Sequence, residues 1–369
     1  MERRGPAARK VGGSNLTRVS VTLGSSRPGG VDVALRGLKD QTFKDFEIIF
    51  VDGRYHKRHE KVLDYVEHLG IRQPFYHVPN HRYNGLWGAN CAGVNTGFML
   101  SEGEIVIMLL DYAYAPPTWI EEHLKLHDKK RLVMAPHLYT QLPEVVTLDG
   151  VPPVKFSGGP ETTIDNIVKQ KENFDELFIF KKPFEPSWME TLEVFKWPNQ
   201  DPKIVRTPGP AQFDLMHTKN DSFPRETVLE INGMDENFDK GRGPGDTEFG
   251  YRLNMAGCEP WLSHDAKVYC LNPREIMPNL NCTVPVEWGE EGKRPIVDSS
   301  YRWSYNEGMA YMKQRQAEIS GGKPPRANNP YDMREKRKEI WEWRELSQRR
   351  FPVIPCNYVP DVLYFNNAT

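Results

Sequence analysis

Three residues that could contact a ligand stand at the ends of apolar runs in the first third of the chain. Gly24 closes the run RVSVTLG, Asp52 follows FEIIFV, and Asp111 follows EIVIMLL. Apolar runs of this length that are rich in β-branched residues predict buried strands. A carboxylate at a strand end could accept a hydrogen bond from a nucleotide base or a ribose hydroxyl, or could bind a divalent cation through oxygen. These three positions are therefore candidates for a ligand site.

The segments between these runs predict the scaffold that would hold such a site. Helices are expected over 31–39, 57–69 and 84–100, a third strand over 72–78, and a charged helix over 330–350 with Met333, Ile340 and Trp343 facing inward. The alternation of strand and helix predicts a mostly parallel, doubly wound α/β sheet with helices on both faces. Ligands bind beyond the carboxyl ends of the strands in such sheets, so the three strand-end residues should meet at one crevice.

A second ordered region, over 224–257, carries another acid. A helix start at 223–226 and a glycine-rich turn precede a helix that is predicted from Asp246 to about Met255. The glycines of the turn would let a ligand approach the backbone closely. Asp246 could act there as a general base. The alternative is that it only caps the helix.

The composition limits the classes of function. The chain has 369 residues, a formal net charge of −2 and 38% hydrophobic residues, which favours a globular core and gives no general attraction to nucleic acid or to anionic membranes. No apolar run approaches the roughly 20 residues that a membrane helix needs. Five widely spaced cysteines and the lack of a secretory signal indicate a cytoplasmic protein. Residues 1–16 are expected to form a disordered basic tail.

Four segments in order along the chain resemble motifs of the family 2 glycosyltransferases. They are QTFKDFEIIFVD (41–52), NGLWGAN (84–90), EIVIMLLD (104–111) and the pair INGMDE and GDTEFGYRL within 231–253. The last pair is also similar to a block of chondroitin-type polymerases and β-1,4-galactosyltransferases. The resemblance implies a GT-A fold, a Rossmann-like α/β domain, over 17–270, with a C-terminal extension of unassigned role over 271–369. It also implies a nucleotide-sugar donor, with a UDP-sugar favoured, and a hydroxyl acceptor.

The same resemblance implies a donor site and a catalytic base. The donor-binding residues would be Gly24, Ser25, Asp52, Asn84, Asn90 and Asp111. Asp52 would bind the uracil, whereas its local sequence alone predicts a turn with Gly53. Asp246 corresponds to the catalytic aspartate of the family, which removes the proton of the acceptor hydroxyl during in-line attack on the anomeric carbon.

Acceptor recognition is implied for three positions near this base. Gly245 replaces a Glu of the family, Glu248 lies two residues after the base, and Asp235 precedes it. Asp235 and Glu236 are also expected to fix the loop after a glycine turn, and Arg252 to pair with a carboxylate inside the domain. Basic residues that could face the pyrophosphate, by position alone, are His81, Arg82, His217 and Lys219.

Two metal ligands of the family are missing from their usual positions. The family holds Mn²⁺ or Mg²⁺ with two aspartates that flank one residue, but here Ala113 stands at the second position after Asp111, and Cys270 replaces the histidine that follows a late strand. Asp111 and His264 remain as candidate ligands, and the alternative for His264 is a surface or structural role. We therefore expect weakened or lost metal dependence, with Lys or Arg side chains neutralising the phosphates.

Other functions stay open at this stage. The acceptor could be a glycan, a lipid-linked glycan, a protein, or a hydroxymethylated DNA base, although the net charge disfavours DNA. A catalytically degenerate GT-A protein that only binds its ligand is suggested by Ala113 and Gly245, which replace carboxylates. A nucleotidyltransferase would need a phosphate-binding loop after the first strand, and residues 25–30 are a faint version of one.

Overall fold

The computed structural model describes the chain in blocks that include most of the predicted elements. These blocks are 19–25, 29–82, 90–141, 177, 186, 193–195, 209–210, 212–213, 216–240, 244–271, 305–351 and 354–355. Asn84, for which a donor contact is predicted, and the expected tail at 1–16 lie outside the described residues. Asn90 begins a helix, and nothing is described of its side chain.

Strands and helices alternate in the first part of the chain. They are β1 (Val19–Ser25), α1 (Val31–Lys39), β2 (Phe46–Asp52), α2 (Tyr55–Leu69), β3 (Phe75–Val78), α3 (Asn90–Leu100) and β4 (Ile105–Leu110). The predicted elements are confirmed here, with bounds that differ by a few residues. The first part of the predicted 84–100 helix lies outside the described residues.

The second part of the chain adds shorter strands and the remaining helices. They are β5 (Ala113–Tyr114), α4 (Trp119–Leu124), β6 (Arg131–Met134), β7 (His137–Gln141), β8 (Glu193–Phe195), β9 (Gly209–Pro210), β10 (Asp221–Pro224), α5 (Arg225–Glu230), a 3₁₀ helix (Glu236–Lys240), α6 (Gly245–Met255), β11 (Glu259–Leu262), β12 (Val268–Leu271), α7 (Tyr305–Ser320), α8 (Met333–Ile340) and α9 (Trp343–Leu346). None of the helices in the described blocks has the length and apolar character that crossing a membrane requires.

The main sheet has its strand order reversed beside β1. Within the described residues the order is β3-β2-β1-β4-β10-β6-β11-β9. β1 pairs in parallel with β2 on one side and with β4 on the other. The carboxyl ends of β1 and β4 therefore form the switch point at which ligands bind in doubly wound sheets. The predicted mostly parallel α/β sheet is confirmed.

Helices cover both faces of this sheet, which explains why β2 carries apolar side chains on both of its faces. Ile48 and Phe50 of β2 pack into a core with α1 and α4, whereas Ile49 and Val51 pack into a second core with α3, α5 and α6. All four side chains are at most 4% exposed. Because successive strand residues point to opposite faces, a strand between two helical layers is apolar in a nearly continuous run.

One strand departs from the predicted order. The sequence predicts a helix start at 223–226, but Asp221–Pro224 forms β10 and α5 begins at Arg225. β10 runs antiparallel to both β4 and β6. An antiparallel strand begins at the edge where its neighbours end. Asp221 is therefore brought to the carboxyl edge of β4, where the predicted site lies.

The described part of the predicted C-terminal extension packs onto the sheet. Met333, Ile340 and Trp343, which are predicted to face inward, are 0%, 4% and 8% exposed. They belong to the same apolar core as Phe98 of α3. The predicted charged helix is divided into α8 and α9, with a turn between them. A smaller sheet of order β5-β12-β7-β8 adjoins the end of β4 through Ala113.

Candidate active site

The switch point brings together four of the predicted donor-binding residues. The Ser25 hydroxyl donates a hydrogen bond of 2.9 Å to Oδ2 of Asp111, which joins the ends of β1 and β4. Ser25 is also in register with Asp52 of β2. Gly24 is exposed, and a Cβ added to it would meet no atom within 4 Å. The edge thus has an open backbone position beside a hydroxyl and a carboxylate.

Asp52 lies at this edge, but its carboxylate faces the protein. Oδ1 accepts hydrogen bonds from the Arg54 backbone N–H (2.7 Å) and from Arg58 Nη2 (2.8 Å), while Oδ2 accepts one from Arg58 Nε (2.6 Å). Burial favours the neutral acid, but Arg58 and His77 outweigh it and hold the pKa of Asp52 well below its usual range. The side chain is 0% exposed. In this structure Asp52 therefore orders the turn after β2, as its local sequence predicts, and the uracil contact stays a prediction.

Two buried histidines extend from Asp52 to the C-terminal part of the chain. His77 Nε2 lies 2.9 Å from Asp52 Oδ2, and Nδ1 of His77 lies 2.9 Å from Nδ1 of His59. Nε2 of His59 is 2.7 Å from the backbone carbonyl oxygen of Arg349. Burial lowers the pKa of His77 to about 4. This chain of contacts connects the end of β2 to the segment after α9.

The residues after Asp111 do not fit the metal site of the family. Ala113 belongs to β5 and pairs with Cys270 of β12, so both positions at which a ligand is missing are used for strand pairing and are buried. His264 is 3.2 Å from the Asp265 carboxylate, and its side chain is 34% exposed. No group of three or more His, Cys, Asp or Glu side chains that could hold a metal ion occurs in the described part of the chain.

Asp246 lies in the first turn of α6 and is partly exposed. The N-cap residue of this helix is Pro244, so the alternative that Asp246 is the N-cap is wrong. Oδ1 of Asp246 accepts a hydrogen bond of 3.0 Å from the Thr247 backbone N–H. A partly exposed carboxylate at the start of a helix can still be reached by a second substrate.

Two of the predicted acceptor-binding residues pack tightly around α6 instead. Glu248 is 0% exposed and forms an ion pair of 2.7 Å with Arg252, as predicted for the arginine. Burial raises the pKa of Glu248, and the charge of Arg252 opposes this shift. Gly245 is buried, and a Cβ added to it would lie 3.0 Å from Phe238. In this structure the Glu248 side chain thus contacts Arg252 of its own helix, and Gly245 packs against Phe238, so the acceptor contacts of both residues stay predictions.

Asp235 is also buried and serves the loop that it was expected to fix. Its Oδ1 accepts hydrogen bonds from the Asn237 backbone and side chain, and its Oδ2 accepts one of 2.8 Å from the Tyr311 hydroxyl. The side chain is 0% exposed. In this structure the Asp235 carboxylate contacts Tyr311 of α7, and its predicted acceptor contact stays a prediction.

The basic residues that are predicted to face the pyrophosphate do not all lie at the same place. His81 and Arg82 each lie 3.3 Å from the buried carboxylate of Glu236, so both side chains contact a protein partner in this structure, and their phosphate contacts stay predictions. The Lys219 backbone carbonyl accepts a hydrogen bond of 2.9 Å from the Leu110 N–H. Lys219 therefore stands beside the end of β4, next to Asp111.

Asp221 is a further acid of this edge, and the sequence analysis missed it. It is 2% exposed, and its Oδ2 has no hydrogen-bond partner among the described residues. Burial raises the pKa of Asp221 to about 7, the charge of Asp246 adds to that rise, and the backbone N–H groups of residues 217–219 oppose it. An acid that begins a four-residue strand belongs to no periodic pattern that would reveal it. To predict Asp221 as a site residue, one would have to know that β10 runs antiparallel to β4 and β6.

Comparison with models of known protein families and with curated protein sequences finds no match. Among solved structures, the chain is similar to TarS of S. aureus at 12% identity, with 82% of this chain and 43% of that chain covered and a TM-score of 0.42. It is also similar to the 1–349 portion of TarS in complex with UDP-GlcNAc, at 12% identity with 89% and 72% covered and a TM-score of 0.43. The mannosyltransferase PcManGT of Pyrobaculum calidifontis, in complex with GDP-Man and Mn²⁺, is 11% identical, with 93% and 76% covered and a TM-score of 0.46. This chain thus spans less than half of the longer TarS chain.

Proposed function

We propose that the chain is an inverting glycosyltransferase that moves a sugar from a nucleotide-sugar donor to a hydroxyl acceptor. One observation carries the proposal: a hydrogen bond joins Ser25 and Asp111 at the switch point of the sheet, where the ends of β1 and β4 meet. Four motifs in the order found in family 2 glycosyltransferases support it from the sequence. A UDP-sugar is the donor that this resemblance implies.

The donor would bind over the ends of β1 and β4. Open space at Gly24 lets a ligand approach the backbone, and the Asp111 carboxylate offers an oxygen to a ribose hydroxyl. Lys219, beside the end of β4, supplies a positive charge for the diphosphate. Since the described residues do not fit a metal site, no step is assigned to a metal ion.

Asp246 would act as the general base. Its carboxylate takes the proton of the acceptor hydroxyl while the hydroxyl oxygen forms a bond to the anomeric carbon of the sugar. The bond from that carbon to the diphosphate oxygen breaks on the opposite side, and the nucleoside diphosphate leaves with the electron pair. The configuration at the anomeric carbon is therefore inverted.

Replacement of Asp246 by Asn tests this role. Asn keeps the size of the side chain but cannot accept the proton, so transfer should fall by about 10²- to 10⁴-fold, while the donor is still bound. The measurement combines a thermal-shift screen of nucleotide sugars with an assay of nucleoside diphosphate release. Asp265→Asn is the matched control, because Asp265 is an exposed acid of the loop after β11. Full turnover by Asp246→Asn would refute the assignment.

A binding protein without catalysis is the second candidate. The burial of Ala113 and Gly245, where the family has carboxylates, favours it. The same experiment separates the two functions, because such a protein would be stabilised by a nucleotide sugar but would release no nucleoside diphosphate with any acceptor or with water.

A further inference from the structure

Backbone strain is concentrated where β4 ends. Among the described residues, three that are not glycine have a positive φ, and two of them are Tyr112 (61°) and Thr218 (50°). Tyr112 follows β4 within two residues. Thr218 precedes Lys219, whose carbonyl accepts a hydrogen bond of 2.9 Å from the Leu110 N–H at the end of the same strand. A left-handed backbone is unfavourable for a side chain as large as tyrosine, and residues strained in this way cluster at ligand sites.

The Tyr112 ring packs against the backbone of the loop after β1. The side chain is 0% exposed, and a Cβ added to Gly30 would lie 2.7 Å from Cγ and from Cδ1 of the ring. Gly30 itself has a φ of 75° and is the N-cap residue of α1. Glycine is therefore required at position 30 both by the backbone conformation and by the approach of the ring.

The segment that follows Tyr112 continues along α1. A Cβ added to Gly37 would lie 2.6 Å from the Ala115 backbone nitrogen, so this segment also approaches the helix closely further along. Gly37 is about two turns away from Gly30 on the same helix. A substitution at Gly37 therefore disturbs the same helix and the same segment, but at a distance from the strand ends.

The two segments that meet at Tyr112 and Gly30 also carry the Ser25–Asp111 pair. Ser25 ends β1 ahead of Gly30, and one peptide bond joins Asp111 to Tyr112. The hydrogen bond of 2.9 Å between Ser25 and Asp111 connects the segments at one point, and the ring on Gly30 connects them at a second. One hydrogen bond leaves two segments free to rotate about it, whereas two contacts fix their relative orientation.

We propose that Tyr112 is a positioning residue of the donor site, whose ring against Gly30 holds the Asp111 carboxylate and the Ser25 hydroxyl in the geometry that binds a nucleoside diphosphate. The strain at Tyr112 is retained because a relaxed backbone would carry the ring away from Gly30. The effect on donor binding rests on the proposed function, whereas the effect on the geometry of the Ser25–Asp111 pair does not.

The positioning can be tested without a substrate. In urea unfolding, Gly30→Ala should destabilise the wild type more than it destabilises Tyr112→Leu, since the smaller side chain leaves room for the Cβ. In the full-length protein with ¹³C-labelled aspartate, the Asp111 carboxyl resonance, identified with Asp111→Asn, should shift in Tyr112→Leu. Gly37→Ala is the matched control and should leave that resonance in place. Additive losses of stability, or an Asp111 resonance that does not move in Tyr112→Leu, would overturn the proposal.

The effect on the donor site is measured with UDP as the probe. Calorimetric titration should show about tenfold weaker binding to Tyr112→Leu, the loss expected for one hydrogen bond to a charged group. Tyr112→Phe keeps the ring and should recover most of that loss. In the transfer assay the loss should appear in the KM for the donor rather than in kcat.

The outcomes separate this inference from the proposed function. Gly37→Ala should bind UDP as the wild type does, although it also disturbs α1. Equal UDP affinities of the wild type and Tyr112→Leu would refute the inference and leave the proposed function intact. A protein whose Asp111 resonance responds to Tyr112→Leu, but which binds neither UDP nor any other nucleoside diphosphate, would refute the proposed function and leave the positioning of Asp111 intact.

Discussion

At the scale of single residues, Gly24 allows the proposed donor site to be tested separately from folding. A Cβ at this position would meet no atom within 4 Å, and the residue is exposed at the end of β1. Gly24→Val should therefore leave the free energy of unfolding within about 0.5 kcal/mol of the wild-type value. The branched side chain would occupy the space over the strand ends, so donor binding should weaken at least tenfold. Urea unfolding and calorimetric titration with a nucleotide sugar measure the two effects.

Gly103 provides the opposite case, in the bend that precedes β4. An added Cβ would collide with the Ser20 backbone nitrogen, so Gly103→Ala should destabilise the fold although it lies at the opposite end of β4 from the site. If Gly24→Val destabilised the protein as much as Gly103→Ala does, or bound the donor normally, the open position at Gly24 would not be a ligand site.

The sequence predicts which acids reach the edge better than it predicts what each acid does there. Asp52 and Asp111 could be recognised because each ends an apolar run. The partners that change their roles are distant in the chain or lie on another element: Tyr311 covers Asp235 across 76 residues. Asp221 could not be recognised, because a short antiparallel strand carries no apolar pattern of its own. The contacts of a side chain depend on packing, which local periodicity does not encode.

At the scale of elements, long buried strands and amphipathic helices are predictable and short pairing strands are not. α1 is predicted with its observed bounds because three apolar positions recur at helical spacing between a glycine-rich loop and Asp40. β10 is not predicted, because its four residues include Pro224. Proline is common in the first turn of a helix, so the sequence predicts a helix start there. β5 and β12 are strands because they hydrogen-bond to each other, and nothing in their sequences predicts that pairing.

A buried ion pair connects α9 to β2 and gives a prediction at this scale. Arg344 Nη2 lies 2.6 Å from Glu47 Oε2, and the two side chains are 9% and 0% exposed. Arg344→Met would remove the guanidinium that lies over the Tyr76 ring and leave the Glu47 charge without its cation. Breaking one side of a buried pair costs about 3–5 kcal/mol. Urea unfolding should therefore show a loss of this size.

Arg350 is the matched control from the same segment. It contacts Asp64 and Glu67 of α2, but its side chain is 59% exposed. Exposed pairs contribute about 0–1 kcal/mol, so Arg350→Met should have little effect. If Arg344→Met lowered the free energy of unfolding no more than Arg350→Met does, the buried pair with Glu47 would not contribute to the stability of the sheet.

At the scale of the whole molecule, buried polar groups join the layers of the fold. His123 of α4 contacts both Asn220 (3.1 Å) and Ser222 of β10 (2.9 Å), and His127 contacts the same serine at 2.7 Å. The Asn220 side chain also donates to the Pro136 and Ala266 carbonyls, near the ends of β6 and β11. This network positions the loop that carries Lys219 and Asp221, so the stability of the scaffold and the geometry of the site depend on the same histidines.

Those histidines should make the whole molecule sensitive to acid. Burial lowers the pKa of His123 to about 4, and burial together with the charges of His123 and Arg131 lowers the pKa of His127 to about 3. The folded state thus excludes a proton that the unfolded chain binds below about pH 6.5. Stability from this source is complete above pH 6.5 and is lost as the pH falls, by roughly 3 kcal/mol for His123 and roughly 5 kcal/mol for His127 when the shifts are fully expressed.

Urea unfolding between pH 4 and pH 8 measures this loss through a comparison of variants. His127→Gln removes one titrating ring but can still bond to Ser222, so its stability should fall less steeply below pH 6.5 than that of the wild type. His68→Gln, at an exposed position of α2, should keep the wild-type slope.

The buried acid Asp239 acts in the opposite direction. Burial raises the pKa of Asp239 to about 8, so its contribution to the free energy of unfolding is lost as the pH rises from about 4 to 8. Asp239→Asn should therefore make stability rise more steeply with pH than in the wild type, and parallel curves for all variants would mean that these groups titrate alike in the folded and unfolded chains.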